Sequence, residues 1–181
     1  MIYKTPILET ERLIMNRGNQ SDYKKVYEFD FTKLRNINGE FEFVKLEPKE
    51  VEGYEIPYDN SYDWIVYLKE NHVPIANIVA DRERQEINAI ELAFNTHPNY
   101  WRKGYTKEAL VAIINFLFNK GYDNIICSYD EGNIKSKNIG EKLGFLPYEI
   151  NKNNWKKNGI NITTYTTILS KNRYKEISVY N

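Results

Sequence analysis

The stretch HPNYWRKGYTKEALVAIINFLFNKGY, residues 97–122, places a basic, glycine-containing loop directly before a long apolar helix. Apolar residues recur at helical spacing over 104–120, which predicts a helix buried against a sheet. The helix starts after Arg102, Lys103 and Gly104, where a Ser, Asp or Asn cap is more common. A helix start offers free backbone N–H groups and a positive dipole end, so the loop is either a basic surface turn or an anion site. Taken alone, one glycine among cations favours the turn.

The strand before this loop, residues 87–94, carries a single acid in an apolar run. Successive side chains of a strand point to opposite faces. One face therefore holds Ile90, Leu92 and Phe94, and the other holds Ala89, Glu91 and Ala93. The two alanines leave room for a ligand or a water beside the Glu91 carboxylate, which could then serve as a general base. The alternative is a strand glutamate that faces solvent, the more frequent case for a single acid.

A second strand and helix follow at 124–130 and 133–143. Asn133 is a natural N-cap for this helix, and Gly144 ends it. Ser136 lies one turn inside, where its hydroxyl could face the preceding strand end and donate a proton to a leaving group. The alternative is an ordinary polar residue in the first turn of a surface helix, and Ser136 by itself favours that alternative.

The rest of the chain predicts short strands joined by turns. We predict a helix capped by Ser21 and Asp22, strands at 13–16, 63–68 and 74–80, a solvated hairpin tip at 81–86, and a closing hairpin at Asn158-Gly159. The strand at 63–68 alternates as a half-buried strand does. Residues 30–60 are interpreted as a helix fragment followed by a long variable loop. An antiparallel meander followed by strand, helix, strand, helix and hairpin indicates a mixed α/β (α+β) fold.

Length and composition predict one domain, 1–181, and exclude several classes of function. Lys plus Arg and Asp plus Glu each number 25, so a balanced charge argues against nucleic-acid or membrane-surface binding. One cysteine, Cys127, and two histidines make a metal site implausible. The flanking Ile125 and Ile126 favour a buried core thiol over a nucleophile. We see no signal peptide and no membrane span, and we expect a cytoplasmic protein.

Four segments taken together resemble the GNAT superfamily of acyl-CoA-dependent N-acetyltransferases. They are ETERLIMNR (9–17), IELAF (90–94), NYWRKGYTKEAL (99–110) and NIKSKNIGEKLGF (133–145). The resemblance runs from about residue 8 to about 169 and is strongest to the branch of ribosomal-protein N-terminal acetyltransferases. It implies a mostly antiparallel central sheet with splayed central parallel strands, flanked by helices. It also reverses the interpretation of the basic loop.

The resemblance implies a coenzyme site and a reaction. The diphosphate of acetyl-CoA would lie on the loop amides, and the pantetheine arm would lie between strands 87–96 and 124–130. Glu91 corresponds to the general base of some members, and Ser136 to the hydroxyl that protonates the departing thiolate. No metal is implied. The implied coenzyme-binding residues are Leu92, Ala93, Phe94, Arg102, Lys103, Gly104, Tyr105, Thr106, Asn133 and Ser136.

Three residues depart from the family pattern. Trp101 stands where many members have Gln or Arg, and Thr106 stands where Gly or Ala is usual. Many members use a tyrosine as general acid on the last of these helices, at a position that corresponds here to Gly140. These departures keep open a non-catalytic acyl-CoA-binding sensor with the same fold. A nucleotide-phosphate protein that merely shares a basic loop is a third alternative.

The amine acceptor is not identified by the sequence. A peptide N-terminus, a polyamine, an aminoglycoside and small amino compounds all remain open, as do a monomer and a homodimer. Acids and aromatics within 29–58 suit a cationic amine by charge and by cation–π contact, although core packing with solvated acids explains them equally well. These residues are Phe29, Asp30, Phe31, Glu40, Phe41, Glu42, Phe43, Glu47, Glu50, Glu52, Tyr54, Glu55 and Tyr58.

Overall fold

The computed structural model describes residues 4–35, 41–48, 61–157 and 159–178, with the backbone alone described for 30–35, 41–48, 157 and 178. The strands are β1 (Leu8–Glu9), β2 (Leu13–Asn16), β3 (Phe29–Arg35), β4 (Phe41–Pro48), β5 (Tyr62–Leu68), β6 (Pro74–Arg84), β7 (Ala89–Thr96), β8 (Asn124–Asp130), β9 (Leu146–Lys157) and β10 (Ile160–Ser170). The helices are α1 (Gln20–Val26), α2 (Tyr105–Lys120), α3 (Ile134–Lys142) and α4 (Lys171–Ser178).

Eight strands form the main sheet in the order β1-β2-β5-β6-β7-β8-β10-β9. Every neighbouring pair is antiparallel except β7 and β8, which are parallel. The predicted mixed, mostly antiparallel sheet flanked by helices is therefore confirmed. No helix among the described residues is long and apolar enough to cross a membrane.

Helix α2 covers one face of this sheet, as its apolar periodicity predicts. The helix ends at Gly121, whose φ of 110° lies in the left-handed region that glycine adopts without strain. Its buried residues are Ala109, Leu110, Ile113, Ile114, Leu117 and Phe118. They share one core cluster with Ile90 and Leu92 of β7, while Phe94 packs partly buried against it. The predicted division of β7 into two faces is therefore confirmed.

The interpretation of 30–60 as a helix fragment and a loop is wrong where the structure describes it. β3 and β4 pair antiparallel in a separate two-stranded sheet, with Thr32 opposite Val44. The sequence holds the signal for these strands, because aromatic residues alternate at 29 and 31 and again at 41 and 43. Residues 36–40 and 49–60 lie outside the described part of the chain.

Other elements differ from the prediction, either because residues distant in sequence contact them or because a different residue caps the helix. The cap of α1 is Asn19, whose side chain accepts from the Ser21 and Asp22 amides, so the predicted cap is two residues too late. β5 is buried over its whole length rather than on one face, because α1 covers its second face. β6 continues to Arg84 before a short 3₁₀ turn, so the predicted hairpin tip is mostly strand. Helix α4 was not predicted.

Candidate active site

The parallel pair β7 and β8 separates partway along its length. Cα partners in register are Ala89 with Asn124, Ile90 with Ile125, and Glu91 with Ile126. Beyond Glu91 the pairing stops, although β7 continues to residue 96 and β8 to residue 130. Leu92, Ala93 and Phe94 therefore have β6 as a partner on one edge and no β8 partner in register on the other. The gap that begins here is the splay expected from the resemblance.

Glu91 lies at the closed end of this gap. Its side chain is 17% exposed, and its Oε2 is 3.9 Å from Nη1 of Arg82, which is largely in solvent. Cys127 lies on the neighbouring strand β8, one residue after the register partner of Glu91, and burial and the charge of Glu91 raise the pKa of its thiol to about 12. Because the thiolate is the nucleophilic form, Cys127 is unsuited to attack a thioester near neutral pH. The prediction of a buried core thiol is confirmed.

The loop between β7 and α2 has two residues in the left-handed region, Arg102 with φ 61° and Gly104 with φ 82°. Gly104 is the N-cap of α2 and has no side chain with which to cap it. The first intrahelical bond runs from the Glu108 amide to the Gly104 carbonyl, at 3.1 Å. The preceding amides at the helix start have no intrahelical acceptor, which is the arrangement that binds phosphate groups.

The two unusual residues of the loop both bond to Thr96, the last residue of β7. Trp101 donates its indole N–H to the Thr96 carbonyl at 2.7 Å. The hydroxyls of Thr106 and Thr96 lie 2.8 Å apart. Trp101 and Thr106 thus tie both ends of the loop to the strand beside the gap. A β-branched residue at 106 is accommodated because it lies in the first turn of α2 rather than in the left-handed part of the loop.

On its other side the loop is held by Arg12, between β1 and β2. Arg12 donates from Nη1 to the Lys103 carbonyl at 3.1 Å and from Nε to Oε2 of Glu108 at 2.7 Å. Thr10 donates its hydroxyl to Oε1 of the same carboxylate at 2.5 Å. Burial raises the pKa of Glu108, but the bonds from Thr10 and Arg12 and the charge of Arg12 outweigh it, so the pKa is lowered overall. The carboxylate therefore stays charged and keeps the loop attached to β1 and β2.

Ser136 is located on α3 at the edge of a cavity of about 310 Å³. Asn133 caps α3 by accepting from the Ser136 amide at 3.3 Å, which confirms the predicted cap. The cavity is also lined by Cys127, whose side chain points to the opposite face from Ile126 and hence from Glu91. Ser136 and Glu91 thus approach the gap from opposite faces of the sheet.

Gly140 lines the same cavity, at the position where many GNAT enzymes carry tyrosine. A Cβ added there would meet the Phe145 Cβ at 3.8 Å, an ordinary contact. The site therefore has space for a Cβ at this position.

The residues present suit coenzyme A on two observations. An unpaired strand edge at 92–94 can bond the amides of an extended chain, and the cationic loop with free amides lies at the open end of the same gap. Among the described residues no group of three or more His, Cys, Asp or Glu could hold a metal ion.

Comparison with known proteins gives the same assignment. The family model described as "Acetyltransferase (GNAT) domain" matches residues 12–146, most of the chain. This chain belongs to the GNAT acetyltransferase family. Members of this family use acetyl-CoA as co-substrate, and the chain is an acetyltransferase enzyme.

Individual relatives are more distant. The uncharacterized N-acetyltransferase YnaD of Bacillus subtilis (strain 168) is 29% identical over 143 residues, covering 76% of this chain and 81% of YnaD. A GNAT-family acetyltransferase from Bacillus anthracis superposes with a TM-score of 0.71 at 19% identity, over 92% of this chain and 99% of that one. The ribosomal-protein-S5-alanine acetyltransferase of Vibrio fischeri superposes with a TM-score of 0.69 at 18% identity, over 93% and 98%. At these identities the two structures support the fold alone.

The face of the sheet that carries Glu91 also carries a buried polar network beneath α1. Asp63 accepts from the Tyr23 hydroxyl and from the Asn77 amide, each at 2.6 Å, and Tyr27 donates to Asn77 at 2.7 Å. Burial raises the pKa of Asp63, although both bonds and the charge of Arg17 lower it in part. This network fixes α1 to the sheet beside the strand that bears Glu91. Of the residues suggested for the acceptor, Phe29 alone has a described side chain, and its ring packs edge-on against His97 at 4.7 Å.

Arg12, Thr96, Glu108 and Lys135 make contacts at the site that no local sequence pattern predicts. Arg12 is part of the ETERLIMNR segment that carried the resemblance, so a signal for it was present. Glu108 and Lys135 also lie in segments that carry the resemblance, whereas Thr96 lies in none of them.

Proposed function

We propose that this chain transfers the acetyl group of acetyl-CoA to a primary amine by direct attack in a ternary complex. The acceptor is a peptide N-terminus or a small-molecule amine. The observation that carries the proposal is the end of the β7–β8 ladder at Glu91, which leaves an open strand edge leading to the cationic loop. The loop amides at 102–106 bind the diphosphate, and the edge at 92–94 bonds the pantetheine amides.

Glu91 is proposed as the general base. A lysine-like amine has a pKa of roughly 10.4 and is protonated near neutral pH, so it must lose a proton before it can attack. The Glu91 carboxylate, directly or through one water, takes that proton as the nitrogen–carbon bond forms. Its position at the closed end of the gap, with its side chain largely shielded, supports this role.

A backbone group near Phe94 polarises the thioester carbonyl, and the carbon–sulfur bond breaks as the amide forms. The departing thiolate takes a proton from Ser136 or from solvent. A side-chain acid is not essential, because an ordinary thiol has a pKa of roughly 8.5 and its thiolate is a tolerable leaving group. Cys127 takes no part as an acyl carrier, since its raised pKa keeps it as the thiol.

The test is release of free thiol when the protein is mixed with acetyl-CoA and a panel of amines. The panel should include peptides with different first residues, polyamines, aminoglycosides and small amino compounds. We expect release above the protein-free rate with at least one amine, and an acetylated amine of matching mass. Thiol release with no acetylated amine would contradict direct transfer.

Gly140 is the observation that would favour a non-catalytic acyl-CoA sensor, whereas the family match favours an enzyme. With no side chain at that position, the site lacks the hydroxyl that many GNAT enzymes use. The sensor predicts tight coenzyme binding with no thiol release across the whole panel. The match to the GNAT domain over residues 12–146 removes the third alternative, a nucleotide-phosphate protein that merely shares a basic loop.

A further inference from the structure

Three cations surround the open end of the gap, and two of them lie over aromatic rings. Nζ of Lys135, in the first turn of α3, is 3.6 Å from the centroid of the Trp101 ring. Nζ of Lys103 is 5.3 Å from the centroid of the Tyr100 ring. Arg102, which directly precedes Lys103 in the sequence, is exposed. Loop and helix thus meet across the gap through a cation–π contact.

These cations differ from three others, Arg12, Arg84 and Lys137, in the groups that hold them. Arg12, Arg84 and Lys137 lie 2.6, 3.1 and 3.7 Å from the carboxylates of glutamates. Within the described part of the chain, no carboxylate lies within ion-pair distance of Arg102 or Lys135. A carboxylate cancels the charge that it holds, whereas an aromatic ring fixes an ammonium group and leaves the net charge in place. The open end of the gap therefore keeps a positive potential.

The Trp101–Lys135 contact is fixed in place rather than incidental. The indole of Trp101 is anchored by its bond to the Thr96 carbonyl. The ring occupies one side of the Lys135 ammonium, which has three N–H donors, so donors remain for another acceptor. Burial and the charge of Arg102 lower the pKa of Lys135, so these like charges repel each other. An anion between Arg102 and Lys135 would relieve that repulsion.

We infer that Lys135, positioned by the Trp101 ring, binds a phosphate group of the coenzyme together with Arg102. This inference rests on the coenzyme site proposed above and extends it from the loop to α3. The chemistry is that of a phosphate oxygen accepting from an ammonium group. The phosphate is either the diphosphate or the ribose 3′-phosphate, because both present anionic oxygens that accept hydrogen bonds from an ammonium group.

The experiment measures the dissociation constants of coenzyme A and 3′-dephospho-coenzyme A by calorimetry at two salt concentrations. The proteins are the unaltered chain, Lys135→Met, Trp101→Leu, Trp101→Phe and the control Lys142→Met. Lys142→Met removes the same single positive charge as Lys135→Met, but Lys142 lies at the other end of α3, away from the Trp101 ring. Thermal unfolding of each variant reports whether it folds.

We expect Lys135→Met to weaken coenzyme A binding about fivefold to tenfold and to flatten its salt dependence, because one charge-assisted bond is lost. Lys142→Met should change neither quantity. Trp101→Leu should weaken binding in the same direction, and Trp101→Phe should retain more affinity because it keeps a ring. If the loss disappears with 3′-dephospho-coenzyme A, the 3′-phosphate is the group bound; if it persists, the diphosphate is.

Two results would overturn the inference. One is a Lys135→Met protein with the affinity and salt dependence of the unaltered chain. The other is a loss that is equal at both salt concentrations, which would mean that Lys135 merely supports the fold. If the unaltered chain binds no coenzyme A, the proposed function itself fails, and that outcome is distinct from the other two.

Discussion

The two edges of β7 differ sharply. Toward β6, Cα partners run without interruption from Glu91 to Thr96, whereas toward β8 they stop at Glu91. The strand is thus held in place along one edge while the far half of its other edge is left unpaired. Unpaired strand edges expose N–H and C=O groups that need partners. The difference shows how a sheet can be rigid and still offer a binding edge.

The same contrast separates the two ends of the gap. The closed end is paired, with Ile90 and Ile125 fully buried in register just before the Glu91 carboxylate. The open end is polar, and side-chain bonds from Trp101, Thr106 and Arg12 hold its loop. We expect substitutions at the closed end to affect chemistry and those at the open end to affect coenzyme affinity.

The sharpest way to break this comparison is Glu91→Gln. The amide cannot take up the amine proton, so we expect turnover to fall about 100-fold near neutral pH, with little change in coenzyme A affinity. Steady-state thiol release and calorimetry measure the two quantities. The matched control is Asp81→Asn, since Asp81 is the register partner of Glu91 on β6. Equal turnover in Glu91→Gln and the unaltered protein would remove Glu91 from the mechanism.

The sequence predicted those parts of the fold whose pattern is local. Helices α2 and α3 and strands β7 and β8 follow from apolar spacing, from Asn133 as a cap and from glycines as stops. The full burial of β5 was not predictable, because the cover on its second face comes from α1. β3 and β4 were missed because scattered glycines and prolines around them outweighed the alternating aromatics in the interpretation.

The site divides in the same way. The cations and glycine at 102–106 and the strand alternation around Glu91 singled out these residues, and the resemblance turned them into predicted site residues. The bond between Arg12 and Glu108, which clamps that loop to β1 and β2, was not predictable, because the two residues are 96 positions apart in the chain. Likewise, nothing local to Trp101 indicates that its ring lies under Lys135, which follows a different strand.

Arg12→Ala tests whether the open end controls affinity. Loss of the bonds to the Lys103 carbonyl and to Glu108 should free the loop, and we expect coenzyme A to bind about tenfold more weakly with turnover at saturation little changed. Arg12→Lys keeps the charge but not the fork of donors, so its coenzyme A affinity should lie between that of Arg12→Ala and that of the unaltered protein. Lys69→Ala, which removes an exposed ion pair to Glu9, is the control and should bind as the unaltered protein does. A drop in turnover without loss of affinity would contradict the division between the two ends.

The pH dependence of the unfolding free energy should report the contribution of the ionised Glu108 carboxylate that clamps the loop through Arg12. Because the pKa of Glu108 is lowered in the folded state, its charged form stabilises the protein above the ordinary value of 4.5, and this contribution is lost as the pH falls below it. We expect Glu108→Gln to reduce the unfolding free energy at pH 7 by less than about 1 kcal/mol, since water partly screens the pair. The two proteins should converge in acid. Urea unfolding at several pH values measures this, and a difference independent of pH would rule out the ionised clamp.

The smallest effect expected is a gain in stability from Gly140→Ala. Glycine inside a helix costs about 0.5–1 kcal/mol relative to alanine, and the added Cβ meets only an ordinary contact with Phe145. The unfolding temperature should therefore rise. A fall would show that the cavity wall around α3 is tighter than the 3.8 Å contact indicates.

The central claim is that the unpaired edge of β7 and the loop after it hold the coenzyme. Amide hydrogen exchange with and without coenzyme A tests it most directly, because it reports on these backbone N–H groups one by one. We predict slower exchange at residues 92–94 and 102–106 when coenzyme A is added, with the paired residues 89–91 unchanged. Coenzyme binding that left exchange in both segments unaltered would contradict the account.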